Sequence, residues 1–373
     1  MSTPVVTSSS SGIAHQGPSL FQPLKMRGVT LRNRIGVSPM CTYSAREGVA
    51  QDWHLIHYGA RALGGAGVVL VEATAVTAEG RISPADLGLW DDGQIAALAR
   101  IARGIADQGA APGIQLAHAG RKAGHRPPHR GGDRLPEAEG GWSTIAPSPL
   151  AFSPGESAPR ALDESGIQAV IQAFIAATQR ALQAGFTVIE LHAAHGYLLH
   201  QFLSPLTNQR SDRYGGSLQN RLRLVVEIAQ RLRVIIPANL PFLVRISACD
   251  WVSGGWDLEQ SLVLAQQLRQ LGVDLIDVST GGTVPDAVVP IKPGYQVPFA
   301  EAIRAQVSIP TSAVGLITEP AQAEKIIASG AADLVLLGRE LLRDPHWPLH
   351  AAHALGHPVA WPAPYLRAAP PLG

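Results

Sequence analysis

Cysteine is nearly absent: Cys41 and Cys249 are the two in 373 residues. That excludes a disulfide framework, and neither sits in the CxxC spacing that thiolate metal sites use, so a reducing cytoplasm is the expected compartment. Charge of one sign is lacking too, because lysine plus arginine number 30 against 29 acidic residues and no basic run stands out. Nucleic acid is therefore not an expected partner. No apolar run approaches the roughly 20 residues a membrane span requires. The opening "MSTPVVTSSSSGIAHQGPS" has neither a basic start nor an apolar stretch, so residues 1–18 read as a flexible tail and not a signal peptide. A GxGxxG is also missing, which argues against a dinucleotide-binding open sheet.

What the chain does have is a repeated alternation. Eight apolar, β-branched-rich runs recur at 34–40, 67–76, 113–120, 186–196, 242–248, 273–282, 310–315 and 332–339. Between them lie segments such as "DESGIQAVIQAFIAATQRALQAG" that open on capping or acidic residues and close on glycine, as amphipathic helices do. Eight such units predict an α/β fold of the (β/α)8 TIM-barrel type, a single domain over residues 19–354. Two stretches depart from the alternation. Residues 124–162 are rich in Gly, Pro and charge and are expected to form a long loop excursion over the barrel mouth after the third strand. Residues 355–373 form a Pro-rich tail, either disordered or docked on something.

Each run starts apolar and ends polar, so Cys41, Gln115, His118, His192, His195, Arg245, Gly315 and Arg339 should share the mouth where parallel barrels build active sites. In "IELHAAHGYLLHQF" two imidazoles stand three apart. Positions i and i+3 of a strand face opposite ways, so His192 and His195 converge only if the backbone leaves strand geometry after 192, a turn that Gly196 permits. Three readings are open: two structural histidines, a metal site short of further ligands, or paired donors for an anionic or carbonyl oxygen, the reading preferred here. Tyr197 behind them is either a core aromatic or a proton donor to carbon. An arginine at the end of an apolar strand must meet an acid or an anionic ligand, and Glu72 and Asp250 are the candidate partners of Arg245. "SAVGLIT" and "LLGRELLRDP" combine glycine with Arg339 at a helix start and imply phosphate binding. Cys41 is an inert thiol, a nucleophile or a tuner of a redox group, with nucleophile least favoured for want of a partner in its segment. His346, His350, His353 and His357 would line one helical face at the surface or an interface.

Together "SPMCTYS", "QLAHAGR", "HAAHGYLLHQFLSPLTNQRSDRYGGS" and "GRELLRDP" resemble the old yellow enzyme family of FMN-dependent ene reductases, from about Leu20 to Arg367. "MCTYS" followed by "DWHLIHYGARALGGAG" is similar to the thermophilic-like, xenobiotic-reductase branch. The resemblance implies FMN across the mouth, with Ser38, Pro39, Met40, Cys41, Ala73, Gln115 and Arg245 at its ring and Gly315, Gly338 and Arg339 at its phosphate. It implies that His192 and His195 bind a substrate carbonyl, that Tyr43 adds a hydrogen bond and that Tyr197 gives the proton. Cys41 would tune the ring's potential without attacking. NADPH or NADH would be the reductant, and enones, enals and similar activated alkenes the substrates. A homodimer or homotetramer is implied, with Arg367 of the tail reaching a neighbouring active site. Relatives in this branch often carry tryptophan where this chain has Leu366, so its pocket wall is expected to be more open. A flavin barrel that oxidises or demethylates amines, an aldolase-like barrel and a ligand-binding scaffold are the rival readings. The lack of a cysteine cluster for iron and sulfur counts against the larger amine-oxidising relatives, and the full set of mouth residues against a scaffold.

Overall fold

The computed structural model describes residues 17–371, so the expected tail of residues 1–18 falls almost wholly outside the described residues. All eight apolar runs form strands: β1 (Ile35–Val37), β2 (Val68–Ala75), β3 (Ala111–Ala117), β4 (Val188–Ala193), β5 (Phe242–Ser247), β6 (Leu275–Ser279), β7 (Thr311–Ala313) and β8 (Leu334–Leu337). Each pairs in parallel with the next, and β8 pairs with β1, which closes the barrel. The longer helices outside it are α1 (Asp52–Leu63), α2 (Ile95–Asp107), α3 (Glu164–Gln183), α4 (Leu218–Ile235), α5 (Leu258–Gln270), α6 (Val297–Val307), α7 (Pro320–Ala328) and α8 (Trp347–Ala354), with short turns of helix at Leu198–Leu203 and Arg339–Arg343. Their starts follow the capping logic: Asp163, Ser217 and Asp257 each accept a backbone N–H of the first turn of α3, α4 and α5. Among the described residues no helix is long and apolar enough to cross a membrane.

Side-chain parity places the site. Val188, Leu243, Leu275 and Leu334 pack together inside the barrel with Leu70 and Leu336. A hairpin of Leu24–Met26 and Val29–Leu31 stops this end, its Met26 and Leu31 joining the same cluster. Because strand side chains alternate, the inward residue two further along each strand is Glu190, Arg245 and Asp277, and the next is His192, Ser247 and Ser279. The barrel interior thus changes from aliphatic floor to polar mouth within two layers. Gly36 and Gly113 make room in the aliphatic layer, since a Cβ on either would stand 2.5 Å from Leu336 or Leu70.

The long insertion after β3 is anchored and not free. Arg121 donates to the carbonyls of Leu150 and Ala151, Arg210 to that of Pro147 and Trp142 to that of Glu79. Its His129 ring lies 6.4 Å from Tyr43, so the excursion does cover the mouth. The Pro-rich tail contains an exposed 3-10 turn, Ala363–Ala368, whose Tyr365 ring is 6.1 Å from His346. The expected four-histidine helical face does not form, because α8 ends at Ala354 and carries His350 and His353 alone; His350 pairs with Asp344 at 2.6 Å, and His357, past the helix, stacks on Phe21.

Candidate active site

The histidine pair converges by the route its spacing demands. Strand β4 stops at Ala193, and His195 and Gly196 turn the chain with φ of 59° and 71°. The left-handed region is costly for histidine, and the turn is held because the His195 N–H donates to Ser247 Oγ at 2.9 Å. A Cβ on Gly196 would lie 2.0 Å from the Gly282 carbonyl oxygen, so this close approach requires glycine. The two imidazoles end 5.1 Å apart, edge to face at 85°, and Tyr197 stands edge to face with His192 at the same 5.1 Å.

The hydrogen-bond network assigns both tautomers, and it does so from two ends. The Val314 carbonyl can only accept, so Gln296 donates to it through Nε2 and must accept through Oε1 from the hydroxyls of Ser279 and Thr280. Ser279 Oγ, its hydrogen spent on Gln296, accepts from His195 Nε2–H at 2.7 Å. From the other end, the Ala194 N–H donates to His192 Nδ1, which leaves the proton on His192 Nε2. That proton points to His195 Nδ1 at 3.4 Å, the lone pair the first chain predicts. Burial, followed by the nearby Arg245 cation, holds both rings well below the ordinary histidine range, so they are neutral at pH 7. Among the described residues no group of three or more His, Cys, Asp or Glu side chains is arranged to hold a metal ion.

Beneath the pair lies a buried charge cluster. Arg245 pairs with neither Glu72 nor Asp250. Parallel register sets it across from Asp277 on β6, with Nε 2.9 Å from Oδ2. The N–H is not aimed at that oxygen, and both atoms lack a hydrogen-bond partner. Asp250 instead accepts from Ser204 and the Trp256 N–H and sits 3.1 Å from His200. Glu72 instead accepts from the Thr42 N–H, the Thr42 hydroxyl and Tyr58, which fixes the segment Ser38–Tyr43 across the mouth. Gln115 donates to Glu190 Oε1 at 2.8 Å. Burial and then the negative Asp277 push the Glu190 carboxyl up to about 8, so it keeps its proton at neutral pH.

The remaining expected residues are arranged around this cluster. The Ser38 N–H donates to the Leu337 carbonyl, and Met40 lies alongside Gly338. Burial and the negative Asp86 and Glu72 hold the Cys41 thiol well above its usual range, so it is not a thiolate nucleophile at neutral pH. Ala73 and Tyr197 line one small cavity with Ala117 and Asp86. Tyr43, with φ of 52°, turns toward the excursion, and burial raises its phenol out of the ordinary range. His118 is buried, accepts from the Gly120 N–H and is held down to about 3 by desolvation. A second cavity of about 280 Å3 opens between β7 and β8, lined by Gly315, Gly338, Arg339, Arg343, Gln296 and Ser279. There Gly315 has φ of +116°, and a Cβ on it would meet Gln296 Nε2 at 2.8 Å. Arg367 is exposed, and its guanidinium has no hydrogen-bond or ion-pair partner among the described residues. Ser279, Gln296, Asp277 and Lys122 were not singled out from sequence. Parity with Leu275 would have put Asp277 and Ser279 in the barrel interior.

The pattern of the NADH:flavin oxidoreductase / NADH oxidase family matches residues 19–357. The chain belongs to this family. The NADPH dehydrogenase of Geobacillus thermodenitrificans is 47% identical over 350 residues, spanning 93% of this chain and 98% of that protein. The NADPH dehydrogenase of Listeria monocytogenes is 47% identical over 351 residues, spanning 94% and 98%. Among solved structures, morphinone reductase superposes with a TM-score of 0.76 at 27% identity, covering 94% of this chain and 93% of its own. This member of the old yellow enzyme family is an NAD(P)H:flavin oxidoreductase on a (β/α)8 barrel, with FMN as cofactor and a nicotinamide nucleotide as reductant.

The side chains present fit FMN. Buried Arg245, one layer below the mouth, has an Nε–H without a hydrogen-bond partner. Exposed Arg339 enters no ion pair among the described residues and borders a cavity with two glycines, as a phosphate site requires.

Proposed function

We propose that this family member reduces the activated C=C bond of enones, enals and similar alkenes. The observation that carries the reading is the convergence of two neutral imidazoles, each with one N–H to give, with a buried phenol against them. Ser38, Pro39, Met40, Cys41, Ala73, Gln115 and Arg245 would hold the FMN ring, and Gly315, Gly338 and Arg339 its phosphate. FMN, when bound, supplies a hydride taken earlier from NADPH or NADH.

The protein's own part is to hold the substrate oxygen and move one proton. His192 Nε2–H, given to His195 Nδ1 in this structure, and His195 Nε2–H, given to Ser279, would both turn to the carbonyl oxygen when substrate binds. Such donors stabilise the charge that grows on oxygen as the β-carbon accepts hydride. Tyr43 adds a hydrogen bond from the excursion side. Tyr197 O–H then protonates the α-carbon, a task suited to a phenol held protonated by burial. Cys41, a neutral thiol beside the ring site, adjusts the ring's potential. Arg367, exposed and without a partner among the described residues, would complete the site of a neighbouring subunit in a homodimer or homotetramer working in the cytoplasm.

Purified protein loaded with FMN is expected to bleach under anaerobic NADPH and to recover its colour on addition of cyclohexenone. Recovery with oxygen but not with cyclohexenone overturns the reading. The double substitution His192→Ala and His195→Ala is expected to abolish phenol-induced charge-transfer colour while FMN stays bound.

A further inference from the structure

The turn Gly120–Lys122 after β3 sends the Lys122 side chain into the wall behind the histidine pair. Its ammonium donates to the carbonyl oxygens of His195, at 2.9 Å, and Gly282, at 3.0 Å. It also lies 4.5 Å from the Phe152 ring centroid and 5.2 Å from that of Tyr197. No carboxylate pairs with it among the described residues, and Glu156, whose charge acts on it, gives its oxygen to His125 at 3.2 Å. A buried cation served only by carbonyls and π faces is costly, and a neutral donor would bridge two carbonyls without that cost.

We propose that Lys122 is a positioning residue that keeps a positive charge on the face of the Tyr197 ring, so that the tyrosine's anion forms beside a cation. The inference rests on the proposed role of Tyr197 as proton donor. When Tyr197 gives its proton, the O–H bond breaks as the new C–H bond forms at the α-carbon, and the electron pair left on oxygen makes a phenolate that water later reprotonates. A cation over the ring favours that phenolate through the ring's quadrupole and its growing negative charge. Burial first, and then Cys41, Tyr43 and Asp86, oppose ionisation of Tyr197 and Arg245 favours it, while Lys122 is the cation that stands over the ring. Burial and the neighbouring Arg121 bring the lysine down to about 8, which leaves it charged at neutral pH.

The test compares FMN-loaded wild type, Lys122→Gln and Lys122→Arg, each reduced anaerobically with NADPH. Reoxidation is timed with cyclohexenone, which needs a proton on carbon, and with benzoquinone, whose oxygens take protons from water. The ratio of the enone rate to the quinone rate is expected to fall about 10-fold in Lys122→Gln and to recover largely in Lys122→Arg. An unchanged ratio, or equal loss in both variants, overturns the proposal. Absorbance titration of 3-nitrotyrosine placed at position 197 gives a readout independent of turnover, because its phenol is far more acidic than tyrosine's and ionises while Lys122 is still charged. The nitrophenol should ionise at higher pH in Lys122→Gln, and an unmoved titration overturns the proposal. If wild type reoxidises with quinone and not with cyclohexenone, the ene-reductase reading fails while this titration still decides the lysine.

Discussion

At the floor of the barrel the Arg32 guanidinium donates to the carbonyls of Ala62, Ala66 and Gln108, while Asp274 accepts from Arg27 and the Phe242 N–H, and Asp333 from Arg304 and the Thr311 N–H. At the mouth, Arg245 Nε, Asp277 Oδ2, Glu190 Oε2 and His118 Nε2 are buried without a hydrogen-bond partner. On the floor side Thr311 Oγ1 and, beside Ala62, Arg61 Nε are the exceptions among the described residues. Both ends use the same residue types, and the difference is in completion. Where polar groups are fully partnered they tie strand ends together. Where they are left open, the protein carries an unfavourable desolvation that a bound group can relieve.

The largest effect that would sharpen this contrast belongs to the mouth. Tyr197→Phe removes only a hydroxyl and is expected to slow reoxidation by cyclohexenone by ~10²–10⁴-fold. Reduction by NADPH and the midpoint of urea unfolding should hardly move, as stopped-flow absorbance and denaturation curves will show. A large loss of stability would instead mark the phenol as a packing residue.

The floor should give the opposite pattern. Arg32→Met keeps the apolar stem but strips carbonyls of a charged donor, with an expected loss of about 2–3 kcal/mol in urea unfolding. Turnover per folded molecule should be unchanged. Arg339→Ala returns to the mouth with a smaller effect, weakening FMN retention about 10-fold in fluorescence titration while unfolding of the FMN-free protein stays the same. Equal destabilisation of the FMN-free forms by Arg32→Met and Arg339→Ala would erase the distinction between the ends.

The same contrast governs what was legible in sequence. All eight strands could be read because each is a short apolar run between turn signals, and the mouth residues because polar side chains close those runs. The convergence of His192 and His195 was legible as a condition, a break in strand geometry, and the structure meets it one residue earlier than the glycine, at His195 itself. The partner of Arg245 was not legible. It depends on parallel register between β5 and β6, which places Asp277 across from Arg245 through contacts no local pattern encodes. Lys122 was hidden for a similar reason, since its partners come from the turns after β4 and β6.

The smallest expected effect tests why one mouth carboxyl stays neutral. One guanidinium faces two buried carboxyls, Glu190 and Asp277, and cannot neutralise both. Glu190 therefore folds with its affinity for protons raised to about 8, against an ordinary value of 4.5. Between those values the folded state binds a proton that the unfolded state has released, so stability falls as pH rises through this window and levels off above it. Glu190→Gln supplies the neutral form permanently and keeps an oxygen for Gln115. The decline in Tm from about pH 5 to pH 8 should become shallower in this variant. Part of the slope should remain, because burial also raises Glu72 to about 7 and Asp86 to about 6. A slope identical to wild type would mean that Glu190 is ionised in the fold, and that Arg245 is shared between two anions instead of being held by Asp277 with an N–H left for a ligand.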